Sequence, residues 1–139
     1  MKKLILVLTI LLASTQWLYA DKIIDLDTKL IDFNGKPVMA SEKEDGTLKS
    51  ALIFYLTNAN QMSLSNEERF LAYEIGVLVG KSSGKLKLEQ KMYDLVKKIC
   101  DSPVVQDQRT RESVPISSVV VTAQVKKLID SAENLEEVK

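Results

Sequence analysis

The amino-acid sequence predicts a mostly helical α+β fold, in which an N-terminal β-hairpin packs on three to four helices after a signal-like hydrophobic segment. Residues 24–30 alternate between apolar and polar side chains, a period of two that suits a half-buried strand. Several later segments instead repeat apolar side chains at the spacing of amphipathic helices. The chain has 139 residues, a length typical of one domain, which we assign to residues 21–132.

Residues 1–20 have the pattern of a secretory signal. Two lysines follow the initiator methionine, an apolar run occupies residues 4–13, and a small residue, Ala20, precedes a much more polar stretch. This pattern predicts a signal peptide cleaved after Ala20, and so a periplasmic or secreted protein. Leu18 is larger than the small residue usually found two positions before the last residue of a signal peptide, which is Ala20 here. The alternatives are an ordinary buried segment or an uncleaved membrane anchor, in which case residues 1–20 would make the only membrane contact.

The counts of charged and catalytic residue types exclude several kinds of chemistry. The chain has 19 basic and 19 acidic residues, no His and one Cys. Without His there is no imidazole nucleophile pair or metal ligand, and one Cys allows neither an intramolecular disulfide nor a Cys-rich zinc site. Removing residues 1–20 leaves 17 basic and 19 acidic residues, which provide no basic field for nucleic acid. We therefore predict a non-enzymatic protein with no catalytic, cofactor-binding or metal-binding residues.

Turn and capping signals delimit the first elements. Asn34-Gly35 predicts a tight turn, after which residues 36–39 return as an edge strand. Polar residues up to Gly46 mark a loop, and Thr47 suits the N-cap position of a first helix.

A capping box opens the second helix. Ser65 is followed three residues later by Glu68, so each side chain can bond the backbone N–H of the other residue. Gly80 or Gly84 is expected to end this helix. Its predicted apolar face carries Phe70, Leu71, Ile75, Leu78 and Val79.

Leu86 and Leu88 are predicted to lead into a third helix, whose apolar face includes Leu88 and which ends at Ser102-Pro103. Cys100 lies on its apolar face, which predicts a buried thiol, whereas pairing between two chains is the alternative.

The last part of the chain is predicted to be a polar loop, a helix and a tail. Residues 101–114 are polar and without periodicity, as is typical of a loop. Pro115 suits the start of a last helix. Residues 133–139 form a charged tail that is expected to fray.

Two near-motifs are better interpreted as structural. Residues 76–82 are similar to a phosphate-binding loop, but three residues separate the glycines where that loop needs four, which favours a helix end. Residues 25–28 carry two aspartates in the manner of a phosphotransferase or calcium loop. They lack the glycine and glutamate that a calcium loop requires, which favours exposed strand acids.

Protein binding is the function that the remaining features favour. The loop at 101–114 combines valines with arginines, and loops often carry binding residues. Tyrosines are enriched at interfaces, although core packing is the alternative for those on helices. The candidate interaction residues are Val104, Val105, Arg109, Arg111, Tyr73 and Tyr93.

Four short stretches carry a family resemblance: Ile24-Asp25-Leu26-Asp27, Gly35-Lys36-Pro37-Val38, Leu64-Ser65-Asn66-Glu67-Glu68-Arg69 and Ala72-Tyr73-Glu74. Their order is similar to that in a group of small, mostly uncharacterised phage and prophage proteins. The resemblance covers about residues 22–100. It implies an accessory or binding role and transfers no catalytic residue.

We therefore expect a small exported protein that acts by protein–protein binding, as a regulator, inhibitor or immunity-type factor with an unidentified protein partner. The alternative is a phage or prophage virion or assembly accessory protein that retains residues 1–20. A minimal enzyme using Ser, Lys or carboxylate chemistry would need at least two polar groups converging in a cleft.

Overall fold

The computed structural model describes residues 21–134, so the predicted signal segment and residues 135–139 lie outside the described range. Within it the fold is α+β with four α-helices, as the sequence predicts. A short 3-10 turn, Ala59–Gln61, follows the first helix. The elements in chain order are β1 (Lys22–Asp25), β2 (Met39–Ser41), β3 (Glu44–Asp45), α1 (Leu48–Thr57), α2 (Asn66–Lys81), β4 (Lys85–Leu88), α3 (Gln90–Asp101), β5 (Val104–Gln106), β6 (Ser113–Pro115), α4 (Val119–Asp130) and β7 (Glu133–Asn134).

The four helices enclose one apolar core. Helix α1 packs against α2 and α4, and α3 packs against α2 and α4. Within residues 21–134, no helix combines the length and the apolar character needed to cross a membrane. The largest fully buried side chains of the helices are Leu48, Leu52, Tyr55, Ile75, Val79, Val96, Cys100, Val125 and Ile129.

A three-stranded antiparallel sheet of order β4-β1-β7 covers the core beside the helices. Ile24 of β1 lies opposite Leu86 of β4, and both are buried. The prediction that Leu86 and Leu88 lead into the third helix is wrong, because the alternation Lys-Leu-Lys-Leu puts both leucines on the buried face of a strand. Glu133 and Asn134, expected to fray, instead pair with the central strand β1.

The N-terminal hairpin lies between Leu30 and Val38. The Val38 N–H donates to the Leu30 carbonyl at 2.9 Å, and the turn between them has Gly35 at φ +75°. The strand that precedes it ends earlier than the alternation predicts. The reason is that Leu26 makes its backbone hydrogen bonds with Gly84 and Lys49 rather than with the return strand.

Residues 101–114, expected to be an irregular loop, contain a second hairpin. Val105 of β5 lies opposite Val114 of β6, and β-branched side chains favour such pairing. Asp107 closes the tip, because its carboxylate accepts the N–H groups of Arg109 and Thr110. Pro115 ends β6, so the last helix begins at Val119 rather than at Pro115.

The predicted capping signals are confirmed. Thr47 caps α1, and Ser65 and Glu68 form the capping box of α2. Helix α3 ends at Asp101, immediately before Ser102-Pro103.

Candidate interaction surface

Helix α2 carries a second apolar stripe that faces solvent. Its buried face contains Ala72, Ile75 and Val79, in accord with the predicted core contacts of the last two. Phe70, however, is 75 % exposed and Tyr73 is 72 % exposed, so the prediction that Phe70 lies on the apolar core face is wrong. Because Phe70, Tyr73 and Val77 are three and four residues apart, they share one exposed side of the helix.

Phe70 and Tyr73 line a shallow cavity of about 450 Å³ at the start of α2. A second cavity of about 430 Å³ adjoins it and reaches the β5–β6 hairpin through Gln106 and Gln108. We call these the aromatic cavity and the amide cavity. The aromatic cavity is lined by Asn60, Asn66, Arg69, Phe70 and Tyr73, and the amide cavity by Asn60, Gln61, Met62, Ser63, Leu64, Arg69, Gln106 and Gln108.

Arg69 lines both cavities and has no ionic partner among the described residues. Its Nε atom is buried and without a hydrogen-bond partner there. Within residues 21–134 every ion pair uses a lysine as its cation. The neighbouring acid, Glu68, accepts from Lys98 Nζ at 2.6 Å and from the Ser65 N–H at 2.8 Å. These bonds lower the pKa of Glu68 and leave its carboxylate occupied.

Of the six predicted interaction residues, all of which the structure describes, Tyr73 is the one that lines either cavity. Val104 and Val105 are partly buried in β5, and Arg109 and Arg111 are exposed at the tip of the β5–β6 hairpin, beside Gln108. Tyr73 lies on the adjacent exposed stripe. The sequence does not predict Arg69 as an interaction residue, nor the glutamines of the amide cavity, Gln61, Gln106 and Gln108. Nothing in the linear sequence shows that the hairpin folds against the start of α2.

Tyr93 must be removed from the set of interaction residues. Its side chain is only 7 % exposed, and its hydroxyl donates to the Ile129 carbonyl at 2.8 Å. Burial raises its pKa. Tyr93 therefore joins α3 to α4 inside the fold and presents no surface to a partner.

A third cavity, of about 510 Å³, lies between α4 and the N-terminal hairpin. Phe33, 88 % exposed, and Val119 are at its edge. Its main amide, Gln124, is already paired, because it accepts from the Ile31 N–H at 2.9 Å and donates to the Ile31 carbonyl. This cavity offers apolar area, but the amide side chain in its lining is satisfied within the chain.

Other reactive groups have structural roles. Cys100 is buried, as predicted, and burial raises its pKa to about 12. Among residues 21–134, no group of three or more Cys, Asp and Glu side chains is placed to hold a metal ion.

Comparison of the chain with family models, with curated proteins and with solved structures finds no match. The resemblance to phage and prophage proteins therefore stays a prediction, and the function has to be argued from the geometry.

Proposed function

We propose that this protein is a small exported, non-enzymatic protein that binds another protein through the start of α2 and the adjoining β5–β6 hairpin. We call this region the α2 surface and define it by Arg69, Phe70, Tyr73, Gln106 and Gln108. Its role would be that of a regulator, inhibitor or immunity-type factor.

The observation that carries the proposal is the exposed aromatic pair beside an unpaired arginine. Aromatic residues and Arg are enriched at protein interfaces and among the residues that dominate binding energy. Burying a side chain as large as Phe70 against a partner is worth about 1.5–3 kcal/mol. Clustering these residue types on one surface therefore favours a binding role over simple solvent exposure.

The pKa shifts of three described carboxylates have causes within the fold. The pKa of Glu68 is lowered by its pairing with Lys98 and by the helix cap, that of Asp130 by its pairing with Lys97, and that of Asp107 by backbone N–H groups in its own turn. Each shift is explained by a bond that stabilises the fold, whereas catalytic groups are tuned by convergence in a cleft.

Photo-crosslinking in the native host tests the proposal. With benzoylphenylalanine at position 73, we expect one discrete crosslinked adduct, identified by mass spectrometry, that disappears when Phe70→Glu is added. The matched control is the same group at Lys43, an exposed residue in the turn between β2 and β3. Identical adducts from both positions, or none from position 73, would contradict a binding role for the α2 surface.

Mass spectrometry of the same preparation tests export. A chain that begins at Asp21 supports a cleaved signal, whereas one that begins at Met1 supports the alternative that residues 1–20 are retained.

A further inference from the structure

The chemistry of the α2 surface indicates what part of a partner it would hold, and this step rests on the proposed function. Arg69 is the only charged residue among those that line the aromatic and amide cavities within the described range. None of the described acidic residues contributes to either wall. The two cavities therefore carry a net positive charge, although the domain as a whole does not.

The guanidinium of Arg69 has N–H donors without an acceptor among the described residues. An arginine side chain is charged at every physiological pH and has five N–H donors. Its Nε–H is shielded from solvent and unpaired among the described residues, which is costly for a charged group. The two outer Nη groups of a guanidinium match a carboxylate, because its two oxygens can accept two parallel N–H bonds from them, and this contact does not involve the shielded Nε–H.

The remaining walls fit the same ligand. Gln106 and Gln108 provide neutral amide donors in the amide cavity, whereas Gln61 Nε2 already donates to Asn58 Oδ1. Such donors can bond carboxylate lone pairs that the arginine leaves free. They add no second positive charge, so one carboxylate balances the site.

The aromatic cavity identifies the source of that carboxylate. Phe70 and Tyr73 line the aromatic cavity together with Arg69, so an occupant that uses both cavities combines an anion with an adjacent apolar group. A polypeptide with an acidic residue next to an apolar one has this form. Inorganic anions lack the apolar part, and the slight excess of acidic residues over residues 21–139 disfavours docking to an anionic membrane or to nucleic acid.

We propose that the α2 surface binds an acidic side chain of a protein partner, with its carboxylate on Arg69 in the amide cavity and an adjacent apolar side chain on Phe70 and Tyr73.

Two blocked dipeptides that differ only in charge test this proposal. The purified protein, labelled with ¹⁵N, is titrated with acetyl-Leu-Glu-amide and with acetyl-Leu-Gln-amide, and the Arg69 Nε–H signal is followed by NMR. We expect a saturable shift with the Glu peptide and binding of the Gln peptide that is at least about tenfold weaker. Acetate alone is expected to bind more weakly than the Glu peptide.

Three variants make the test specific. Arg69→Gln should abolish the difference between the two peptides, whereas Arg69→Lys, which keeps the charge and most of the stem, should reduce it. Lys91→Gln removes one positive charge from an exposed position on α3 and should leave the difference intact. The backbone spectra of the variants report whether each is folded.

Equal binding of the two peptides, or a difference that survives in folded Arg69→Gln, would overturn carboxylate recognition. If acetate binds as tightly as the Glu peptide, the site takes a free anion and the inferred protein ligand is wrong. Crosslinking at position 73 is independent of these results, so the proposed binding role can stand when the carboxylate inference fails.

Discussion

Among single residues, Cys100 shows how position sets reactivity. The thiolate is the reactive form of cysteine, and an apolar environment disfavours it. Cys100 lies on the core face of α3, and burial is the largest cause of a pKa raised to about 12. At pH 8 only roughly one thiol in ten thousand is then ionised, against about a quarter for an ordinary cysteine with a pKa near 8.5.

We expect Cys100 to be inert in the folded protein. At pH 8, dithionitrobenzoate should label almost no thiol in the native state within minutes and one thiol per chain in concentrated guanidinium chloride, as measured by absorbance. Rapid full labelling of the native protein, or a dimer on non-reducing gels that reductant removes, would contradict burial of the thiol.

Among the elements, α2 depends on one side chain with two roles. Glu68 completes the capping box through the Ser65 N–H and also pairs with Lys98 of α3. The first bond requires only an acceptor, whereas the second requires a negative charge. Glu68→Gln therefore keeps the cap and removes the ion pair.

We expect Glu68→Gln to lower the urea midpoint at pH 7 and to leave it unchanged near pH 2. The folded pKa of Glu68 lies below its ordinary value of 4.5. The stabilisation is therefore present above about pH 4.5 and is lost as the pH falls through the folded pKa. Glu67→Gln, one residue earlier in the same helical turn, controls for the loss of a charge near the helix dipole. If the urea midpoint of Glu68→Gln differs from that of wild type by the same amount at both pH values, the ion pair contributes nothing to stability.

In the molecule as a whole, stability depends on contacts between distant parts of the chain. Strand β1 pairs on one side with β4 and on the other with β7, near the end of the described range. Leu26 follows β1 and is completely buried, and its backbone bonds both the turn before β4 and the start of α1. This residue therefore lies where the sheet, its connecting turn and the helices meet.

We expect Leu26→Ala to reduce the free energy of unfolding by about 2–5 kcal/mol, a large part of the roughly 5–15 kcal/mol of a typical domain. Phe33→Ala, at an exposed position on the N-terminal hairpin, should change it by less than about 0.5 kcal/mol. Equilibrium urea unfolding measures both. Similar losses in the two variants would contradict the placement of Leu26 in the core.

Local signals in the sequence were sufficient for two helix starts, one helix end and several buried positions. The caps at Thr47 and Ser65 and the break at Ser102-Pro103 are confirmed, because each depends on hydrogen bonds or steric limits within one turn. Cys100 is buried as expected, because helical periodicity is also a local property. The composition likewise excluded His-based chemistry without any reference to the fold.

The tertiary structure was required for the strand partners and for the α2 surface. The pairing of β1 with β4 and β7 joins residues that are far apart in sequence, so no local pattern specifies it. Phe70 and Ile75 are both large and apolar, yet only the packing of α2 against its neighbours exposes the first and buries the second. Arg69 lies between two cavities only when the β5–β6 hairpin folds beside it. The reason is that the amide cavity is lined by residues from segments that are far apart in the sequence.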